Sequence, residues 1–522
     1  MSTLNKNTTA LFAITIFLAV VAKISGMIRE VVIGYYYGAS AELDLFYYIY
    51  TFPEVLMTGI TAALSIALIP FLSGKEDFNV ASNKLFLSKV LSIGTFIFVL
   101  ITLIAIIFHK PILQFALNDM PKMNNQQSVY ILWVSCFQLV PTFICAVYLA
   151  VGTKLEKYKL ITLIGIPLNI TSIVVMMILH NQFGVLSIGI GLLSGLLIQM
   201  IYLMWDLRRQ GVGYSLKTVY SLKNSKLLEF SYLLLPVYLG TILQRLGVFV
   251  DRFLASGLQE GSISALSYAD RVIQMVVMII VSSIGMIMFS KISETIHNKK
   301  QETMELLSNT INFSCLTIIP ISLFIIIFSK DIVTVLFARG EFDNIALENT
   351  SLALSGYSIG LIGIGLRYVL NRVYFAELDV KTPTMNTLYA LIINIVLSVV
   401  LCRLFGIFGI ALSGSLTMIA ASVMLGFRLQ TKHRYFSNFD WLEFAKILVL
   451  SIVLSIIWWV TGKMLSSSIN SPLFRICSAT IISIPVFIIV SRLLKLKEYD
   501  KLQQVFVARI RIKKKLASRS NA

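Results

Sequence analysis

Apolar runs of about 20 residues recur from one end of this chain to the other, separated by short polar breaks. A run of that length points to a helix crossing a bilayer, because a helix satisfies its own backbone groups where no water can. The runs predict about 14 spans, near residues 9–36, 43–72, 84–108, 127–152, 159–179, 183–205, 227–254, 262–292, 305–328, 346–376, 383–403, 407–429, 441–463 and 471–493. The connections are short, the longest having about 20 residues between spans 6 and 7, so no extramembrane domain is expected. Composition agrees: 57% of the 522 residues are hydrophobic and 13% charged, against roughly 25% charged in soluble domains. A water-soluble enzyme, a nucleic-acid-binding array and a disordered scaffold are excluded. The first run continues into a charged segment instead of a small-residue cleavage site, so no cleavable signal peptide is expected.

The 44 Lys and Arg against 26 Asp and Glu give a formal charge of +18. In a soluble chain that excess would suggest nucleic acid; in a polytopic one it marks the cytoplasmic side. With both termini in the cytoplasm, the inner segments hold Lys154, Lys157, Lys159, Arg208, Arg209, Lys217, Lys223, Lys226, Lys291, Lys299, Lys300, Arg428, Lys432 and Arg434. The outer loops hold only Lys110, Lys122, Lys330, Arg339, Arg403, Lys463 and Arg475. The tail from Lys495 to Arg519 alternates basic and apolar residues, the pattern of an amphipathic helix on anionic membrane lipids.

The chain also repeats itself at an offset of about 220–226 residues. Val147-Tyr148-x-Ala150 closes span 4 and Val373-Tyr374-x-Ala376 closes span 10. Asn169-Ile170 returns as Asn394-Ile395, and Phe183-Gly184 as Phe405-Gly406, each Phe-Gly leading to a Ser-Gly pair. An even number of spans per repeat inserts both halves the same way round, the layout of parallel-repeat carriers. The expected fold is therefore an all-α polytopic membrane protein: two six-helix lobes in a parallel pseudo-two-fold repeat (1–210 and 211–435), two accessory helices outside the repeat (436–494) and the basic tail (495–522). The repeated core is expected to fold without the accessory pair.

Charges inside apolar spans are costly and mark cavities or partners. Span 1 carries Lys23, Arg29 and Glu30; span 2 carries Asp44 and, after Pro53, Glu54; span 7 carries Arg245, Asp251 and Arg252; span 8 carries Asp270 and Arg271; span 10 carries Arg367 and Arg372. Spans 1, 2, 7 and 8 are equivalent positions of the two repeats. Lys23, Arg29 and Arg271 form the candidate binding group, with Glu30, Asp44, Glu54 and Asp270 in support. Arg252 and Arg372 read as structural, snorkelling to an interface or pairing with Asp251 and Glu377. A cavity lined by cations suits an anion, and the planar fork of Arg suits a phosphate or diphosphate.

Other signals are weaker. Gly360-x-x-Gly363-x-Gly365 sits in an apolar span, where close helix packing explains it. The histidines are scattered without metal-ligand spacing, the cysteines lack any CxxC, and no Walker A lysine is present.

The sequence KISGMIRE from Lys23 to Glu30, followed by Tyr37-Gly38-Ala39 and Asp44, resembles the first helices of the MurJ/MviN lipid II flippases. So do Ser267-Tyr268-Ala269-Asp270-Arg271 and Ala376-x-x-Asp379-x-Lys381-Thr382-Pro383. The resemblance covers nearly the whole chain. It implies the multidrug/oligosaccharidyl-lipid/polysaccharide exporter fold and a non-enzymatic flippase of the bacterial cytoplasmic membrane. The implied cargo is lipid II, the undecaprenyl-diphosphate-linked peptidoglycan precursor, with other cell-wall synthesis proteins as partners. The family's cavity arginines fall on Arg29 and Arg271, a third on Lys23, and a fourth cationic position near the uncharged Met57. That last departure keeps open another polyprenyl-diphosphate-linked glycan of O-antigen, capsule or teichuronic type; a multidrug/cation antiporter and a non-transporting cell-wall scaffold are the remaining alternatives. No cofactor is implied. Coupling to Na+ or H+ or to the membrane potential is, and the candidates for a monovalent cation site are Asp251 and Asn371.

Overall fold

The computed structural model describes residues 6–72, 81–117, 125–209, 225–295, 300–437, 439–468, 471–501 and 503. The described residues fold into eighteen α-helices, and the breaks between them follow glycine, proline and polar residues. In chain order they are α1 (Lys6–Tyr37), α2 (Ala41–Ala67), α3 (Ala81–Ile107), α4 (His109–Leu117), α5 (Asn125–Phe137) and α6 (Leu139–Lys154). Then come α7 (Tyr158–Leu163), α8 (Gly165–Phe183), α9 (Leu186–Arg208), α10 (Ser225–Ser256), α11 (Ser262–Thr295) and α12 (Lys300–Ile327). The last are α13 (Ser329–Phe337), α14 (Asn344–Ile359), α15 (Leu361–Ala376), α16 (Lys381–His433), α17 (Trp441–Ser468) and α18 (Pro472–Leu493).

Among the described residues, 12 helical stretches are long and apolar enough to cross a membrane. One of them, Lys381–Lys432, breaks at Gly406 and supplies two of the expected spans, and α1 adds a further helix of 32 residues. The polytopic all-α reading therefore stands. Expected spans 4 and 10 are each two helices in line, α5 with α6 and α14 with α15, broken at Gln138 and Gly360. The sequence reading missed the nine-residue helices α4 and α13, which follow α3 and α12.

The two halves break their helices at corresponding places. Gly184 (φ 52°, ψ −139°) separates α8 from α9, and Gly406 (φ 57°, ψ −131°) divides α16, so both Phe-Gly pairs mark a turn only glycine takes without strain. Glu156 after α6 and Leu378 after α15 are likewise both left-handed. Tyr148 and Tyr374 are both fully buried.

The chain forms two compact units. The first comprises residues 1–271 together with 337–346. In it α2 lies against α10, α5 and α6, and α8 pairs with α9. The second comprises 272–336 and 347–522, built on α12, α15, α16, α17 and α18. The division into these two units falls at Arg271, because α10 packs along α2.

Helix α17 buries Ile447, Leu450, Leu454 and Trp458 in the core of the second unit beside Leu307, Cys315, Phe328 and Tyr374. Removing it would open that core. The basic tail past Lys501, apart from Gln503, and the loop lysines Lys217 and Lys223 lie outside the described residues.

Candidate functional site

The site grows from one stripe of α2. The helix starts at Ser40, whose hydroxyl accepts the Leu43 N–H, and it carries Pro53 inside it. Tyr47, Tyr50, Glu54, Met57, Thr58 and Thr61 recur at three- and four-residue spacing and so share a face. That face lines a cavity of about 400 Å³ in the first unit, with Arg29, Glu30 and Arg271 as its other charged walls.

Arg29 donates from Nη2 to Glu30 Oε1 at 2.7 Å and from Nη1 to Asn169 Oδ1 at 3.0 Å; its buried Nε finds no partner among the described residues. Glu30 is only 3% exposed and also accepts the Tyr47 hydroxyl at 3.1 Å. Asn169 is held in turn by its amide nitrogen, which donates to Ser25 Oγ at 3.0 Å. From α11, Arg271 stands 3.7 Å from Glu30 and 3.6 Å from Glu54. Glu54 is also 3.3 Å from Arg252 Nη1, which donates to the Tyr47 carbonyl at 2.9 Å and to the Thr51 hydroxyl.

Of the sequence candidates, Arg29, Glu30, Glu54 and Arg271 are brought together in this cavity. Lys23 is exposed on α1, is not among the cavity walls, and makes no ion pair among the described residues. Asp44 is buried away from the cavity: its carboxylate accepts Gly261 N and Ser264 N, each at 2.7 Å, and Ser264 Oγ at 2.6 Å. It therefore orients the start of α11, the helix that carries Arg271, and does not touch the arginine's neighbours. Asp270 is half-buried next to Arg271 and does not line the cavity. Asp251 lies on α10 in the first unit and Asn371 on α15 in the second. Met57 is 7% exposed in the cavity wall, where its sulfur accepts the Thr142 hydroxyl at 3.3 Å.

Arg252, expected to snorkel to an interface or to pair with Asp251, is 9% exposed and pairs with Glu54 in the charge cluster. Arg372 lies with its guanidinium 4.9 Å over the Tyr368 ring and donates to that hydroxyl at 2.8 Å. The sequence reading also missed Tyr47, and it noticed Asn169 only as a repeat marker; an amide inside an apolar span was the available signal. Outside the spans, Asp379 of the third family-like motif caps a helix, accepting Thr382 N at 3.0 Å and Thr382 Oγ1 at 2.8 Å. Burial opposes its ionisation, but those bonds and the neighbouring Lys432 hold its carboxyl below the usual range.

Three guanidinium groups thus meet two carboxylates, leaving one formal positive charge and room for an anion beside Arg271 and Arg29. Buried pairs of this sort are retained at a desolvation cost, which favours a functional reason for them.

A family model described as lipid II flippase MurJ matches residues 33–477. The probable lipid II flippase MurJ of Buchnera aphidicola is 25% identical over 461 residues, covering 86% of this chain and 89% of the relative. That of Thermotoga maritima is 26% identical over 491 residues, covering 92% and 95%. A solved structure of lipid II flippase MurJ in an inward closed conformation superposes with a TM-score of 0.76 at 23% identity, covering 93% of this chain and 98% of that one. An inward-facing multidrug resistance MATE family transporter of the MOP superfamily gives 0.63 at 14% identity, covering 80% and 96%. At those identities the solved structures speak to the fold alone; the family match spans most of the chain, which belongs to the lipid II flippase MurJ family.

Proposed function

We propose that the chain is a flippase that moves lipid II from the inner to the outer leaflet of the bacterial cytoplasmic membrane by alternating access, with both termini cytoplasmic. The observation that carries this reading is the cavity in which Arg29 and Arg271 stand together inside the apolar helices, partnered by the carboxylates of Glu30 and Glu54. The obstacle is a diphosphate and a polar glycan crossing roughly 30 Å of hydrocarbon. Guanidinium forks replace the headgroup's hydration, while the polyprenyl tail stays in apolar surroundings. An apolar pocket of about 310 Å³ bordered by Phe324, Leu454, Trp458 and Phe487 supports a place for the tail along α17 and α18. An inside-negative potential drives an anionic headgroup outward.

The test is a leaflet-resolved assay of lipid II after depletion of the protein, in which the headgroup should accumulate on the inner leaflet. Unchanged distribution would refute the reading. One observation favours a second cargo: uncharged Met57 forms cavity wall where the family pattern has a cation. Accumulation of a different polyprenyl-diphosphate-linked glycan in the same assay would select it.

A further inference from the structure

Arg271 is the least committed cation of the cluster. Its nearest carboxylate oxygens are 3.6 and 3.7 Å away, beyond the roughly 2.7–2.9 Å of a charge-assisted bond. Its side chain is 37% exposed, against 16% for Arg29, and it donates no hydrogen bond among the described residues, though a guanidinium carries five N–H donors. Both carboxylates keep another partner when Arg271 turns away. Glu30 retains Arg29 and Tyr47, and Glu54 retains Arg252. Arg271 can therefore leave without stranding a buried charge, the usual barrier to such a move.

The two carboxylates are not equivalent. Glu30 is locked, with its side chain 4% exposed between Arg29 and Tyr47. Glu54 has a side chain 27% exposed in the cavity wall and is held by one 3.3 Å hydrogen bond, from Arg252, beside its looser 3.6 Å pairing with Arg271. A phosphate seated on Arg271 displaces Glu54 from that guanidinium and then lies beside its negative charge.

We propose that Glu54 is an internal competitor for Arg271, occupying in the empty cavity the place of a substrate phosphate, and that it thereby sets release of the substrate and not its capture. This rests on the anionic-substrate reading given above and adds a residue to it. The cluster's single surplus positive charge is outweighed by a bound diphosphate, so repulsion from Glu54 shortens the time the headgroup stays. Neutralising Glu54 raises the surplus to two, strengthens binding and slows turnover.

The experiment uses the full chain in nanodiscs, with farnesyl diphosphate and inorganic pyrophosphate as binding probes, and lipid II flipping in proteoliposomes as the rate. Glu54→Gln should bind both probes about tenfold more tightly and flip more slowly. Arg271→Ala should bind at least tenfold more weakly, and the Glu54→Gln/Arg271→Ala double variant should bind no more tightly than Arg271→Ala alone. If Glu54→Gln binds no better than the native chain, or gains equally without Arg271, the competitor role is overturned while the cationic cavity stands. If Arg271→Ala binds as well as the native chain, the cavity reading itself fails. Should Glu54→Gln not insert because Arg252 loses its counter-charge, Glu54→Gln/Arg252→Gln takes its place; its surplus stays at one, so a smaller gain is expected, from removal of the competing carboxylate alone, and it should still vanish without Arg271.

Discussion

Asp44 offers a quantitative test of how the cavity is held together. Its carboxylate collects three donors at 2.6–2.7 Å from the first turn of α11 and the residue just before it, and it is only 5% exposed. Hydrogen bonds to a charged group contribute about 1.5–3 kcal/mol each, and stranding a buried donor costs about 1–3 kcal/mol. The three do not add fully, because the Ser264 hydroxyl can rotate to another acceptor and the Tyr268 hydroxyl still ties α11 to the Gly38 carbonyl at 2.7 Å. Asp44→Ala should therefore cost about 3–5 kcal/mol. Asp44→Asn keeps one acceptor oxygen and should cost about half of that, and Ser264→Ala, which removes one donor, about 1 kcal/mol. Arg271 lies seven residues beyond Ser264, about 10 Å along the helix, so a loosened start displaces the guanidinium from the cavity. Thermal unfolding of the purified protein, membrane protein level and flipping would be measured for all three variants. The expected order of loss is Asp44→Ala, then Asp44→Asn, then Ser264→Ala, with flipping falling in the same order. A native unfolding temperature for Asp44→Ala, or a greater loss from Ser264→Ala, refutes the capping argument.

The other variants probe separate features. Arg29→Ala and Arg271→Ala should each insert at near-native level and lose more than about tenfold in flipping, from a lost charge-assisted contact of about 1.5–3 kcal/mol, whereas Lys23→Arg, on an exposed position, should keep its activity; complementation beside a membrane immunoblot separates the two. Gly340→Ala should lower the unfolding temperature, since φ there is +62° and a Cβ would lie 2.1 Å from the Tyr35 carbonyl oxygen, a strain of about 1–3 kcal/mol. An impermeant thiol reagent applied to intact cells should label Gln259→Cys and spare Asn224→Cys; the reverse pattern would invert the orientation. Outside the spans, the Lys497 ammonium holds the Asp440 carboxyl below its ordinary 3.8, and the same bond raises Lys497 above 10.5. The bridge is therefore intact through neutral pH, weakening only as pH falls through the lowered carboxyl value or rises through the raised ammonium value. Asp440→Asn should cost well under about 1 kcal/mol, as exposed pairs do, equally at pH 6 and pH 9, and the gap in unfolding temperature should close as the pH falls below the ordinary carboxylate value.

Hydropathy located the spans because burial in lipid acts on every residue of a run, and an average over a run survives errors at individual positions. The repeat was legible for a different reason: Gly184 and Gly406 stand where the backbone turns left-handed, and such a turn constrains residue type. Arg29 and Arg271 stood out because an unshielded guanidinium in lipid is too costly to be incidental. Glu30 and Glu54 were legible as supporting carboxylates, but which cation each one meets was not. Whether Arg252 points to an interface or to Glu54 depends on the rotation of α10 against α2, and a run of apolar residues fixes that rotation poorly. The same limit applies to Asp44, whose spacing is compatible with lining a cavity but whose oxygens are taken by Gly261 and Ser264. The short helices α4 and α13 were missed because nine residues are too few to register as a span.

The pairing within the cluster also changes how membrane potential acts on the proposed cycle. Three isolated guanidinium groups would be costly to hold in an empty cavity, and each would carry about 2.3 kcal/mol per 100 mV across the full field. Glu30 and Glu54 reduce the formal surplus to one charge, so the empty cavity is cheaper to keep and the potential draws it inward with about a third of that force. Loading reverses the sign, because a diphosphate brings at least two negative charges to a surplus of one. In the proposed cycle the loaded site would then be driven outward and the empty one inward by the same inside-negative potential. With both carboxylates neutralised the surplus would be three, a diphosphate carrying two charges would not overcome it, and the outward stroke would run against the field. On the proposed reading the acidic residues are therefore as much a part of the transport chemistry as the arginines proposed to hold the phosphate.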